Sequence, residues 1–127
     1  MGLLLTDETK RFYITSELEV VEDPDLGTEW IEVKAHLPYH EYRIYMKKVN
    51  RFTSYDSKGN VKLKDEVFDL DKELLLKVIV AWSDEADITA ENIDKLPNKV
   101  ITQLLTKIKK MYGFAAAAKE EEEEPVE

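Results

Sequence analysis

The chain has 127 residues, a formal net charge of −9 and no cysteine; 43% of its residues are hydrophobic and 35% are charged. This length suits one domain with a single core. The acidic balance argues against binding to nucleic acid, which needs clustered lysine and arginine for the phosphates. The lack of cysteine excludes disulfides, thiolate metal ligands and cysteine nucleophiles. No apolar run approaches the roughly 20 residues of a membrane span, so we expect no membrane partner.

The first elements predicted are two strands of a β-hairpin and a helix. β-Branched and aromatic residues are dense in residues 11–21, and turn-forming residues follow at 23–27. Apolar and polar residues then alternate over residues 31–37, as in a half-buried strand. Pro38 can open a helix, and the apolar residues after it recur at i, i+3, i+4 and i+7. These positions are Tyr42, Tyr45, Met46 and Val49.

The middle of the chain contains an irregular segment and a second helix. Turn-forming residues and alternating lysines in residues 53–68 are consistent with a small exposed hairpin or with a mobile basic loop. Asp69 or Asp71 can cap the helix that follows, and an acidic start suits its dipole. The apolar stripe predicted for this helix consists of Leu74, Leu75, Val78, Ile79 and Trp82.

Two more helices and an acidic tail are predicted in the last third. Thr89 can cap a short helix, and Pro97 opens a longer one that ends before Gly113. The apolar face of the longer helix carries Val100, Ile101, Leu104, Leu105, Ile108 and Met111. An alanine run and five consecutive glutamates then predict a disordered tail. We therefore predict a mainly helical α+β fold, with an N-terminal β-hairpin followed by three to four helices. It comprises one globular domain (residues 1–113) and a low-complexity tail (114–127).

Charge is unevenly distributed along the chain. Residues 34–64 contain eight basic and two acidic side chains, whereas both flanking parts are acidic. A basic middle in an acidic protein favours an acidic protein partner or a contact with the chain's own tail. A solvated helix face followed by a loop is the other interpretation of the same pattern.

Residues that could carry catalysis or bind a metal do not form a recognised pattern. The two histidines, His36 and His40, are four residues apart, but Pro38 between them argues against one helix presenting both to a metal. The acidic residues 84–87 lack the glycine and the distal glutamate of a calcium loop. No nucleophile turn or phosphate-binding glycine motif is present in the sequence. We expect a protein-binding function without catalytic residues, metal or cofactor, and not an enzyme.

Aromatic residues are concentrated in the hairpin and the first helix. Aromatic side chains beside arginine and lysine are the usual composition of an interface hot spot. Trp82 continues the stripe of the second helix and is assigned to the core, whereas Trp30 is out of phase with the Ile31 and Val33 face. The aromatic residues taken as partner-binding candidates are Trp30, Tyr42 and Tyr45.

One segment resembles a known family. Residues 74–111 read LLLKVIVAWSDEADITAENIDKLPNKVITQLLTKIKKM. They combine an apolar helix ending in Trp-Ser, an acidic break, a Thr-x-Glu-Asn-Ile-x-x-Leu-Pro step and a final helix. With the N-terminal hairpin and the alanine–glutamate tail, this arrangement resembles the small tail assembly chaperones of siphophages and related prophages.

The resemblance implies a chaperone that acts in the host cytoplasm and is absent from the mature virion. Such proteins coat the hydrophobic tape measure protein before the tail tube polymerises, and a frameshifted longer form recruits tube subunits. The implied partners are therefore the tape measure protein and the tail tube subunit; homo-oligomerisation is another way to cover excess apolar surface. The helical residues implied for client binding are Leu75, Ile79, Leu105 and Ile108. The alternatives are a structural virion protein (a decoration or head–tail subunit) and an acidic protein-binding regulator.

Overall fold

The computed structural model describes residues 7–55, 61–63 and 66–114. The predicted tail beyond Phe114 lies outside these residues. The strands are β1 (Thr9–Ile14), β2 (Val20–Val21), β3 (Glu29–Lys34), β4 (Thr53–Tyr55), β5 (Val61–Leu63) and β6 (Ile79–Trp82). The helices are α1 (Tyr39–Phe52), α2 (Glu66–Val78), α3 (Ala90–Asp94) and α4 (Asn98–Met111). The mainly helical α+β fold with an N-terminal hairpin is confirmed.

An antiparallel sheet in the order β2–β1–β3–β6 forms one layer of the fold. Phe12 of β1 pairs with Ile31 of β3, so both side chains point to the same face, and both are buried. Their neighbours Tyr13 and Trp30 point to the opposite face, which explains why Trp30 was out of phase with the buried positions. The alternation in the sequence therefore identifies the inner face correctly.

The first predicted strand is interrupted by a tight turn. Thr15 and Glu19 close this turn with a 2.9 Å backbone hydrogen bond, and Leu18 within it has a positive φ of 64°. The predicted segment 11–21 therefore becomes two short strands, β1 and β2. Further along the hairpin connection, Gly27 lies against the Ile14 backbone, where a Cβ atom would be 2.6 Å from the Ile14 carbonyl oxygen.

The second predicted helix ends four residues earlier than expected, and its predicted last part is a strand. Helix α2 ends at Val78, and Ile79–Trp82 forms β6 at the edge of the sheet. Trp82 pairs with Ile31, and the Ser83 N–H donates to the Trp30 carbonyl over 3.0 Å. The prediction of a continuous helix was wrong because a short apolar run with β-branched residues fits a strand equally well, and pairing with β3 decides between them.

The start of α2 also differs from the prediction. This helix begins at Glu66, so Asp69 and Asp71 lie inside it and do not cap it. Of the two interpretations of residues 53–68, the hairpin is the one observed, since β4 and β5 pair antiparallel. The segment between these two strands lies outside the described residues.

The ends of the other helices agree with the sequence signals. The Thr89 hydroxyl accepts a 3.1 Å hydrogen bond from the Asn92 N–H and caps α3 as predicted. Pro97 precedes α4. Past its end, Gly113 adopts a φ of 83°, and the Phe114 N–H donates to the Lys109 carbonyl over 2.8 Å. This is a Schellman motif.

Helices α2 and α4 contribute most of the helical side chains to the core. This core also contains inner-face residues of the sheet and the buried ring of Phe114, which lies one residue beyond the predicted domain end at 113. The largest fully buried side chains are Leu75, Leu104, Ile108, Val33, Val78 and Val100. None of the helices in the described part of the chain is long and apolar enough to cross a membrane.

Candidate protein-binding surfaces

Four of the seven residues predicted to bind a partner belong to the core. Ile79 pairs with Val33 on the inner face of the sheet, because β6 is a strand and not the end of a helix. The others lie on the inward faces of α1, α2 and α4. These four core residues are Tyr45, Leu75, Ile79 and Ile108. Their side chains are not exposed to a partner in this conformation, so their role in binding stays a prediction.

Leu75 and Leu105 nevertheless meet at one groove. This groove, of about 490 Å³, lies between α2, α3 and α4. Leu75 forms part of its floor, and the partly buried Leu105 and Ile101 line the α4 side. Phe68, one heptad before Leu75 on α2, stands at its edge and is 66% exposed. We call this the α2–α4 groove; it is the largest described cleft that contains predicted residues.

The rim of the α2–α4 groove is mildly acidic. Asp94 is paired with Lys72 at 2.9 Å, and Asp71 with Lys109 at 3.0 Å. Asp69 has no ion-pair partner among the residues that the structure describes. A partner entering the groove therefore meets an apolar floor and, at Asp69, a carboxylate without an ion pair to any described residue.

Asp71 ties three helices together at one end of this groove. The Tyr45 hydroxyl of α1 donates to Asp71 Oδ1 over 2.5 Å, and Lys109 Nζ of α4 donates to the same oxygen over 3.0 Å. Burial of the Tyr45 ring, and then its hydrogen bond to Asp71, raise the pKa of the Tyr45 hydroxyl far above its ordinary value. The hydroxyl therefore remains a neutral donor throughout the physiological pH range.

This arrangement predicts that Tyr45 destabilises the fold in alkali. The raised pKa means that the stabilisation is complete below the pKa of an unfolded tyrosine, about 10, and is lost as pH rises towards the folded pKa. At pH 11 the unfolded state gains about 1.4 kcal/mol by ionising this residue. Urea unfolding measures the fall in the free energy of unfolding between pH 8 and pH 11. This fall should be smaller by about that amount in Tyr45→Phe than in the wild type. Equal losses in the two proteins would contradict the assignment.

The two remaining aromatic candidates lie far apart in the fold. Trp30 is on the outer face of the sheet, where the Arg11 guanidinium carbon lies 3.7 Å from its ring centre. The same guanidinium donates to Glu32 over 2.8 Å and lowers the pKa of that carboxyl. Tyr42, on α1, is partly buried and packs edge-on against Phe114, with 4.9 Å between ring centres. The predicted set therefore does not form one continuous surface.

A second groove, of about 330 Å³, lies at the junction of β6 with the start of α4. Trp82 lines it together with Ile31, Leu96 and Val100. The Trp82 indole N–H donates to the Ala86 carbonyl over 2.6 Å, which fixes the ring at the groove wall. Trp82 was predicted to lie in the core; it is partly buried and packs against the core from the side.

The groove residues that were not predicted to bind a partner are Phe68, Leu96 and Ile101. Ile101 was assigned to the apolar face of the last helix, whereas Phe68 and Leu96 are single apolar residues outside the predicted stripes. A pattern does not show which side of a stripe remains open. The Nε2 atom of His36 lies 3.9 Å from a carboxylate oxygen of Glu8, and the side chains of His36 and Glu8 are both more than half exposed. The described residues include no group of three or more metal-ligating side chains.

Comparison with known proteins adds no relative to these observations. No family model, no curated protein and no solved structure matches this chain. The features that bear on function are therefore the surfaces described above and the sequence pattern of residues 74–111.

Proposed function

We propose that this chain is a phage tail assembly chaperone that holds a segment of the tape measure protein in its α2–α4 groove. The observation that carries the proposal is the groove itself, with its apolar floor at Leu75 and an exposed phenylalanine, Phe68, at its edge. Exposed apolar side chains around a concave site are typical of protein-interaction surfaces. The resemblance of residues 74–111 to tail assembly chaperones supplies the identity of the client.

A helical client segment fits this groove best. Grooves between two helices commonly bind the apolar face of an amphipathic helix, which inserts anchors at i, i+3 or i+4 and i+7. Leu105 and Ile101 are one turn apart on α4 and present a ridge against which such anchors can pack. Asp69, which has no ion pair within the described part of the chain, and the net charge of −9 favour a client with basic side chains beside its apolar face.

The test is co-expression of the chain with the tape measure protein, followed by size-exclusion chromatography. We expect a soluble complex with the wild-type chain and insoluble tape measure protein without it. Phe68→Asp should weaken client binding by about 2 kcal/mol, or roughly 30-fold in Kd, because it places a charge at a hot-spot position. Leu26→Asp is the matched control, since Leu26 is also exposed (57%) but lies in the hairpin connection.

The possible outcomes distinguish an error in the proposed binding site from an error in the proposed function. If the complex is soluble and Phe68→Asp does not weaken it, the client binds somewhere other than the α2–α4 groove. If the tape measure protein stays insoluble and the chain elutes alone, the chaperone proposal fails. Stoichiometric recovery of the chain in purified virions would then favour a structural subunit, because a chaperone leaves the particle.

A further inference from the structure

The outer side of α1 carries a line of basic residues. Arg43, Lys47 and Arg51 follow one another at intervals of four residues, so they project from the same side of the helix, and all three are exposed. We call them the α1 basic stripe. Tyr39 begins the same line; it is 72% exposed, and the Arg43 guanidinium carbon lies 5.9 Å from its ring centre.

The α1 basic stripe is not neutralised by the rest of the described chain. Within the described ranges, none of its three side chains is within ion-pair distance of a carboxylate. The neighbouring Lys48 does have such a partner, Glu73, at 3.1 Å. The α1 basic stripe therefore contrasts with the whole chain, which has nine more acidic than basic residues.

The chain leaves the described fold beside the same helix. The Phe114 ring is buried and packs against Tyr42 and Tyr45 of α1, with ring centres 4.9 and 5.4 Å apart. The Tyr112 hydroxyl donates to the Lys34 carbonyl over 2.6 Å and holds this exit in place. The next residues, 115–127, contain six glutamates and one lysine, which gives a formal charge of −5.

Geometry allows these glutamates to reach the whole stripe. Residue 120 is six positions after Phe114, and six extended residues span about 20 Å. The helix from Tyr42 to Arg51 is about 14 Å long. A tether this short gives an effective concentration on the order of millimolar, so several individually weak ion pairs can act together.

We propose that the acidic residues 120–124 bind the α1 basic stripe of the same molecule. Helix α1 does not line the α2–α4 groove, so this contact is independent of the proposed client site. It is a second, electrostatic interaction surface of the protein.

The absence of cysteine from the sequence makes a direct test simple. A nitroxide label on Val126→Cys leaves every glutamate in place and reports on amide protons within about 20 Å. We expect the NMR signals of residues 39–51 to lose at least half of their intensity at about 10 mM salt, where the Debye length is about 30 Å. They should recover at about 1 M salt, where it is about 3 Å.

Charge variants identify the binding groups. The triple variant Arg43→Glu, Lys47→Glu, Arg51→Glu should abolish the low-salt signal loss, while its spectrum shows an intact fold. The matched control Arg43→Lys, Arg51→Lys keeps the charge and should keep the signal loss. Full intensity of residues 39–51 in the labelled wild-type tail at low salt would overturn the proposal. So would signal loss that persists in the triple variant.

A mixing experiment tests whether the contact is within one molecule. Isotope-labelled chain without the nitroxide is mixed with unlabelled chain that carries it. We expect unchanged intensities in the mixture at low salt. Signal loss confined to residues 39–51 in the mixture would assign the stripe to the tail of a second copy and overturn the intramolecular contact.

Discussion

Leu75→Ala is expected to lower the free energy of unfolding by about 2–5 kcal/mol. The Leu75 side chain is 1% exposed and lies on the inward face of α2, so its removal leaves a cavity that the surrounding helices cannot fill. The adjacent Leu76 is 37% exposed, and Leu76→Ala should cost less than about 1 kcal/mol. The two variants have the same composition and differ only in which side of the helix loses its leucine.

Urea unfolding monitored by circular dichroism measures both changes, with equal m-values required before the free energies are compared. The experiment also tests the predicted role of Leu75 at a contact surface. If Leu75→Ala is as stable as Leu76→Ala but no longer binds the client, Leu75 acts on the partner and not in the core. A large loss of stability would mean that Leu75 is a core residue that supports the floor of the groove.

Asp71→Ala is expected to lower the free energy of unfolding on the order of 3 kcal/mol. It removes the acceptor of both Tyr45 and Lys109, and each partly buried donor left without a partner costs about 1–3 kcal/mol. Asp69→Ala, two residues earlier on α2, changes an exposed carboxylate and should cost less than about 1 kcal/mol. The comparison separates the hydrogen-bond network from the general effect of losing a negative charge.

Thermal or urea unfolding at pH 7 is the measurement, and a double-mutant cycle with Tyr45→Phe isolates the pair. The two single changes should not add, because each removes the same hydrogen bond. Additive changes would show that Tyr45 and Asp71 stabilise the fold independently, in conflict with their 2.5 Å contact.

The parts of the fold that were predictable from the sequence are those with a local cause. Thr89 and Gly113 are conformational signals that act within a few residues, and both occupy the helix ends predicted for them. The alternation around Ile31 and Val33 likewise identified the inner face of a strand. These features need no knowledge of what packs against them.

The parts that were not predictable depend on distant partners. Ile79 to Trp82 forms a strand because β3 offers a free edge, almost fifty residues earlier in the chain. The prediction of the contact residues was incomplete for a related reason. Leu75 belongs to the apolar stripe predicted for the second helix, and Phe68 lies seven residues before it on the same helix. In the folded chain Leu75 is buried, whereas Phe68 is 66% exposed at the edge of the α2–α4 groove, and this difference depends on what the distant parts of the chain cover. Hydrophobic periodicity shows that a helix has an apolar side, but it does not show how much of that side the neighbouring elements cover.

The direct junction of α2 and β6 has a mechanical consequence. Val78 is the last residue of the helix and Ile79 the first of the strand, both are buried, and no loop residue separates them. A loop would absorb a rotation or sliding of the helix, but here the same covalent segment must move with it. The pairing of β6 with β3 is irregular at the same place, because Glu32 pairs with Ala81 and Val33 with Ile79, which leaves Val80 as an extra residue. We therefore expect that a partner which displaces α2 from the side of the groove would also displace the adjoining end of β6 at the edge of the sheet.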